Sequence, residues 1–198
     1  MARSANASLR AAWFPKWQIH HRLRPEEFSG RVQNNLTKKS QYPISTDLYR
    51  STALQRVTSQ NKTALLPLAY PEGCPAHPSY PAGHATIAGA CITMLKAYFD
   101  ESFVIPNPVV ADVTGTTVLP YDGALTIGGE LNKLASNIAM ARNTAGLHWR
   151  SDSLEGIRLG EAMAIGLLHE LTLTTPEPSP GFRLTTFDGQ PVTILPPR

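Results

Sequence analysis

Apolar residues recur at helical spacing along most of the chain. The clearest run is Gly83–Phe99, where Ile87, Ala90, Cys91, Met94, Leu95 and Tyr98 follow an i, i+3, i+4, i+7 pattern. Ile127–Asn143 predicts a second helix with Leu131, Leu134, Ala135 and Ile138 on one face. Residues 152–173 predict a longer helix, in which Gly156, Gly160 and Ala164 repeat every four residues and let another backbone come close. Nearer the start, residues 5–23 predict a first helix, rich in Ala, Leu, Trp and Arg. Pro25 suits the first turn of the next, with Glu26 and Glu27 placed favourably against its dipole. Arg24 falls in the junction, because the residue before proline avoids the α region. Thr46–Asp47 opens a further helix to about Ser59. The pattern then changes. Five prolines lie from Pro67 to Pro81, and residues 66–83 predict one long ordered loop because periodicity resumes directly after it. Residues 108–119 are β-branched and predict short paired strands, and two β-prone runs flank Asp188-Gly189 in the tail, a hairpin signal. The expectation is a mainly α fold in a single domain: a helical bundle over 1–175 and a Pro-rich tail with a β-hairpin over 176–198.

The composition is that of a globular chain, with 42% apolar and 17% charged residues over 198 positions. No apolar run approaches the ~18 residues of a membrane span, and MARSANASLRAAWFPKW lacks the apolar core of a signal peptide. A soluble chain, of unassigned compartment, is expected. Two cysteines, Cys74 and Cys91, exclude a disulfide-stapled miniprotein and a zinc ribbon. Cys91 lies on the apolar stripe and reads as a buried free thiol rather than half of a bridge. Charge is uneven: residues 1–50 hold nine Lys/Arg against three acids, and the rest hold nine against twelve. A basic first quarter suits nucleic acid, an acidic membrane, a small anion or simply a solvated face.

Three clusters carry chemistry: Trp13-Phe-Pro-Lys16 with Arg24-Pro25, then His77-Pro-Ser-Tyr-Pro-Ala-Gly83-His84, then Arg142-Asn-Thr-Ala-Gly146-Leu-His148-Trp-Arg-Ser-Asp152. Arg142 aligns with an apolar stripe, so it needs a partner: a structural carboxylate or a bound anion, which a guanidinium fork recognises well. Gly83-His84 stands at a helix start, where free amides attract negative charge and a histidine can exchange protons. His148 and Asp152 are four apart, as an acid that fixes a histidine tautomer or as a plain helix cap beside a histidine. Together they offer three cations, a glycine amide and two histidines, an inventory suited to a tetrahedral oxyanion with one histidine bonded to its central atom. No Cys/His metal spacing, paired-carboxylate site, phosphate loop or nucleic-acid platform competes.

These blocks resemble the vanadium-dependent haloperoxidases, bromide type. The match lies in Lys16 to Arg24 with seven residues between, HPSYPAGHAT, and ARNTAGLHWRSD, and extends to the TTFDGQPVTI tail. The same skeleton occurs in type-2 phosphatidic-acid phosphatases and bacterial acid phosphatases. The resemblance implies vanadate as cofactor and oxidation of bromide and iodide by hydrogen peroxide to hypohalous acid, which halogenates an organic acceptor. It implies His148 as the vanadium ligand and Lys16, Arg24, Arg142 and the Gly83 amide on the vanadate oxygens. His84 is then the acid–base group, and Trp13 and His77 lie on the halide side. His77, seven residues before His84, goes with bromide rather than chloride, as a titrating hydrogen-bonding group near the anion. It also implies a homo-oligomer in the full-length enzyme. The alternative is a phosphomonoester hydrolase with His148 as nucleophile, Asp152 orienting it and His84 protonating the leaving group.

Two departures bear on these expectations. The family's Ser-Gly-His is Ala82-Gly83-His84 here, removing a hydroxyl donor worth about ten- to a hundredfold in anion affinity. Family enzymes are longer, so the chain reads as their C-terminal, site-bearing part. On that reading some apolar surface stays uncovered, on the first helix and on the small-residue stripe of 152–173.

Overall fold

The computed structural model describes residues 1–197. Helix α1 spans Ala2–Phe14, and Pro15, which has no N–H to donate, opens a π-helical stretch over Pro15–His20. There the His21 N–H reaches back five residues to the Lys16 carbonyl at 3.2 Å. His21 then turns left-handed, with φ 43°, and ends the element. The expected single helix over 5–23 is therefore two abutting stretches, which change from α to π hydrogen bonding at Pro15 and end at His20. Helix α2 spans Pro25–Leu36, α3 Thr46–Arg50 and α4 Thr52–Asn61. One helix was expected across α3 and α4, but extended Ser51 divides them and caps α4, accepting from the Leu54 N–H at 3.2 Å.

No helix or strand lies between residues 62 and 82, where the Pro-rich loop was expected. Helix α5 (Gly83–Tyr98) follows, then strands β1 (Val109–Ala111) and β2 (Val118–Pro120), α6 (Ile127–Thr144), α7 (Arg150–Thr174), β3 (Phe182–Thr185) and β4 (Pro191–Ile194). Each strand pair is an antiparallel hairpin. The mainly helical expectation with small hairpins holds. Among the described residues no helix is long and apolar enough to cross a membrane.

Helix α5 is the axis of the fold, packed by α1, α6, α7 and β3. Apart from Ile92 and Lys96 its buried residues are small: Ala85, Thr86, Ala88, Gly89, Ala90 and Thr93. The two threonine hydroxyls bond back to carbonyls four residues earlier, Ala82 and Gly89. The larger residues expected to face the core sit at the margin instead, and Tyr98 is exposed. Helix α6 repeats this. Its buried line is Gly128, Ala135 and Ala139, and Leu134 and Ile138, expected inside, are exposed. Close helix packing selects small side chains, so the large aliphatics moved outward.

The Gly156–Gly160 stripe admits another backbone, as its spacing predicts, and is therefore covered rather than exposed. A Cβ on Gly160 would stand 2.0 Å from the Thr86 carbonyl oxygen, and one on Gly156 2.9 Å from that of Ala82. Helices α5 and α7 thus run in the same direction, nearly backbone to backbone. The expected exposure is seen on the first helical segment, through Trp13, Phe14, Trp17 and Ile19. At the far end, Leu184 and Ile194 of the second hairpin close the core on Leu168. Cys74 and Cys91 are both free thiols, and Cys91 is half-buried.

Gly160→Ala should cost about 1–3 kcal/mol or more of unfolding free energy, as overpacked cores do. Gly166→Ala, with nothing within 4 Å of its added Cβ, should gain about 0.5–1 kcal/mol from helix propensity. Paired denaturant titrations check the contrast, and equal effects would contradict this packing.

Candidate anion site

The π-helical stretch turns Lys16 inward, and the extended Arg24 before Pro25 points its guanidinium the same way. Both are 1% exposed. The Arg24 backbone N–H is taken by the Glu27 carboxylate at 3.0 Å, which starts α2 and fixes the junction. Lys16 Nζ donates to the Pro78 and Ser79 carbonyls at 2.7 and 3.1 Å. Arg24 Nε donates to the His77 carbonyl at 2.9 Å, and Nη1 to the Leu147 carbonyl at 2.8 Å. The same Nη1 faces His148 Nε2 at 3.3 Å, and Nη2 faces His77 Nδ1 at 3.1 Å.

A guanidinium can only donate, so His148 Nε2 carries a lone pair and Nδ1 carries the proton. That N–H faces Asp152 Oδ2 at 3.2 Å and Ser79 Oγ at 3.3 Å. Helix α7 begins too late to put His148 and Asp152 on one face. His148 precedes it, and Asp152 sits in the first turn. Oδ2 also accepts from the Trp149 backbone N–H at 3.0 Å, so Asp152 both caps the helix and orients the imidazole. Ser79 donates to the same oxygen. Arg22, half exposed, donates to Oδ1 at 3.0 Å. Burial pushes the Asp152 carboxyl up, but the hydrogen bonds from His148, Ser79 and the Trp149 amide together outweigh it and hold it below the usual range. Burial, opposed by Asp152 and aided by the Arg24 and Lys16 charges, keeps His148 below its ordinary value.

Burial and then the Arg24 charge bring Lys16 down to about 8, against the pull of Asp152. Burial and the Lys16 charge bring His77 to about 4, so this imidazole is neutral through the neutral pH range rather than titrating there. It packs against Trp13 with ring centroids 5.1 Å apart, so those two residues do meet.

Arg142 lies over Tyr70, and its charge bears on both Arg24 and His84. Its Nε is the one buried side-chain polar atom without a partner among the described residues. His84 is exposed in the first turn of α5, and burial followed by the Arg142 charge lowers it. It shares no hydrogen bond with His148 among the described residues. Gly83 supplies a first-turn amide without an intrahelical partner. A Cβ there would meet Leu9 at 3.2 Å, so the glycine also lets α1 approach. Ala82 caps α5 without a side-chain bond.

The structure thus joins Arg24, His77, His148 and Asp152 by direct contacts and sets Lys16, Arg142 and His84 beside them. Sequence reasoning missed Ser79 and Arg22. Ser79 stands inside the HPSYP block, where a hydroxyl among prolines was the available signal, and Arg22 lies between the two cations already singled out. The donor set fits an oxyanion: cations in excess of carboxylate, an orphaned guanidinium nitrogen, and an imidazole lone pair.

The family model of the VCPO second helical-bundle domain matches residues 7–172. A vanadium-dependent bromoperoxidase of Corallina officinalis is 40% identical over 212 residues, covering 96% of this chain and 35% of the relative. One from Ascophyllum nodosum is 37% identical over 207 residues, covering 97% of this chain and 37% of the relative. The solved homohexameric structure of the second vanadate-dependent bromoperoxidase of Ascophyllum nodosum superposes with a TM-score of 0.83 at 33% identity, covering 98% of this chain and 39% of that one. The chain therefore spans little more than a third of the relatives it matches. With the sequence blocks, the fold and the family model in agreement, the chain belongs to the family of the VCPO second helical-bundle domain.

Proposed function

We propose that this chain carries the vanadate site of a haloperoxidase that oxidises bromide and iodide with hydrogen peroxide. The observation that carries the reading is the orientation of His148: Nδ1–H anchored on Asp152, Nε2 lone pair facing the cations. His148 Nε2 would ligate vanadium, with Arg24 Nη1 moving from that nitrogen to an oxygen. Lys16, Arg24, Arg142 and the Gly83 N–H would hold the oxygens, and the orphaned Arg142 Nε would gain its partner. When bound, vanadate supplies a Lewis-acid centre that activates peroxide toward halide.

The remaining steps belong to the protein. Peroxide, halide and a proton give hypohalous acid and water, so a proton must be accepted from peroxide and returned. Burial and then the Arg142 charge lower the basicity of His84, and it would make that exchange. Lys16 would donate to the oxygen that halide attacks. Neutral His77 and Trp13 would line the halide side, favouring bromide over chloride. The hypohalous acid would then halogenate an organic acceptor. Assembly into a homo-oligomer, as described for the Ascophyllum relative, is part of the same reading.

The direct test is turnover of bromide by the chain with orthovanadate and peroxide, beside a phosphomonoester control. Vanadate-dependent bromide oxidation, abolished in His148→Ala, is expected. Phosphomonoester hydrolysis without bromide oxidation would replace this reading with the hydrolase one.

The lowered Lys16 fixes a pH dependence. Below about pH 8 its ammonium is already charged and contributes no pH dependence to anion binding. Above that value the proton must be taken up on binding, so this contribution weakens affinity by up to about tenfold per pH unit. Lys16→Arg keeps its charge throughout. The wild-type to Lys16→Arg ratio of vanadate affinities, which cancels the titration of vanadate itself, should fall above about pH 8. A constant ratio from about pH 6 to about pH 10 would contradict the assignment.

A further inference from the structure

Arg22 is the least expected member of the site. Its side chain is 42% exposed, yet it reaches a carboxylate that is fully buried: Nη1 donates to Asp152 Oδ1 at 3.0 Å and to Ser151 Oγ at 2.8 Å. The guanidinium is held from outside by Tyr80, with Cζ 5.8 Å from the ring centroid, and His20 packs edge-on against that ring at 4.6 Å. The Arg22 main chain is engaged as well. Its carbonyl accepts from the Ser79 N–H at 2.9 Å. Ser79 Oγ in turn donates to Asp152 Oδ2. The three residues therefore close a ring: Arg22 carbonyl to Ser79 amide, Ser79 hydroxyl to Asp152, Asp152 to Arg22 guanidinium.

The ring contains every side chain that fixes the two Asp152 oxygens, apart from the imidazole the carboxylate itself orients. Oδ1 has Arg22, and Oδ2 has Ser79, the Trp149 amide and His148. Without Arg22, Oδ1 of a fully buried carboxylate would lose its hydrogen-bond donor. The carboxylate would then rotate toward whatever donor remained, and the hold on the His148 Nδ1–H would loosen.

We propose that Arg22, with Ser79 as its counterpart, is a positioning residue: by clamping Asp152 it anchors the His148 Nδ1–H, reinforces the tautomer that the Arg24 contact requires, and so keeps Nε2 turned to meet the anion. The second half of the proposal rests on the vanadate reading, and the first rests on the hydrogen bonds that tie Arg22, Ser79 and His148 to Asp152. Residues that orient ligands in this way change metal affinity by about 10- to 100-fold when lost.

The test uses the chain labelled with 15N-histidine, in buffer free of vanadate and phosphate, with the His148 signals assigned by their loss in His148→Ala. Wild type should show one tautomer, protonated at Nδ1. Arg22→Met should show a mixture and bind orthovanadate about 10- to 100-fold more weakly, and Arg22→Lys should recover part of both. Ser79→Ala should shift the tautomer in the same direction. If Arg22→Met does not fold, Arg22→Lys and Ser79→Ala carry the test, and wild-type tautomer populations in both overturn the proposal. An unchanged tautomer in folded Arg22→Met overturns it also. If wild type binds no vanadate, the vanadate reading falls, and the tautomer measurement still decides the role of Arg22.

Discussion

Two cations, Lys16 and Arg24, are buried together in a frame of backbone carbonyls, and the site and much of the fold depend on that arrangement. Taking like charges out of water is costly unless each finds partners. Here the carbonyls of His77, Pro78, Ser79 and Leu147 provide them. Three of these come from the Pro-rich loop, where proline has removed N–H donors and left carbonyls in need of them. Exchange of donors for acceptors explains why a long proline-rich segment is ordered without secondary structure. Among the described residues only one fully buried carboxylate, Asp152, stands with these cations, and it is already engaged by four groups. The positive charge left over, with the unpartnered Arg142 Nε, is the physical basis for an anion.

Helix packing delivers the remaining groups to this frame. Glycines let α5 and α7 lie in close parallel contact, which sets their N-terminal ends side by side. The Ala82 N–H meets the Asp152 carbonyl at 3.0 Å, tying the two helix starts together. Both ends carry the partial positive charge of a helix N-terminus and add to the field of the cations. A glycine at 160 is thus linked to a histidine at 148 through the geometry of the helix pair.

Much of this was legible in the sequence. The helix series, the loop and the tail hairpin follow from periodicity, proline and glycine. The three blocks pointed to an oxyanion because their residue types leave few other chemistries. What failed, failed for identifiable reasons. Large aliphatics such as Leu134 and Ile138 were read as core because hydrophobicity scales weight size, whereas close packing of α6 on α5 rewards alanine. The change to π-helical hydrogen bonding at Pro15 was passed over, yet Lys16 is the buried residue of that stretch. Ser79 and Arg22 were invisible because their roles come from hydrogen bonds between segments far apart in sequence. His77 was read as titrating near neutrality, because no sequence reveals that the fold will bury it with the Lys16 charge beside it.

The central claim is that these buried cations and His148 Nε2 form one anion cradle. A crystal structure of the chain grown with orthovanadate tests it most directly. The account predicts vanadium bonded to His148 Nε2, with Lys16, Arg24, Arg142 and the Gly83 N–H on its oxygens. Vanadate bound elsewhere, or held in the cradle without a bond to His148, would contradict it.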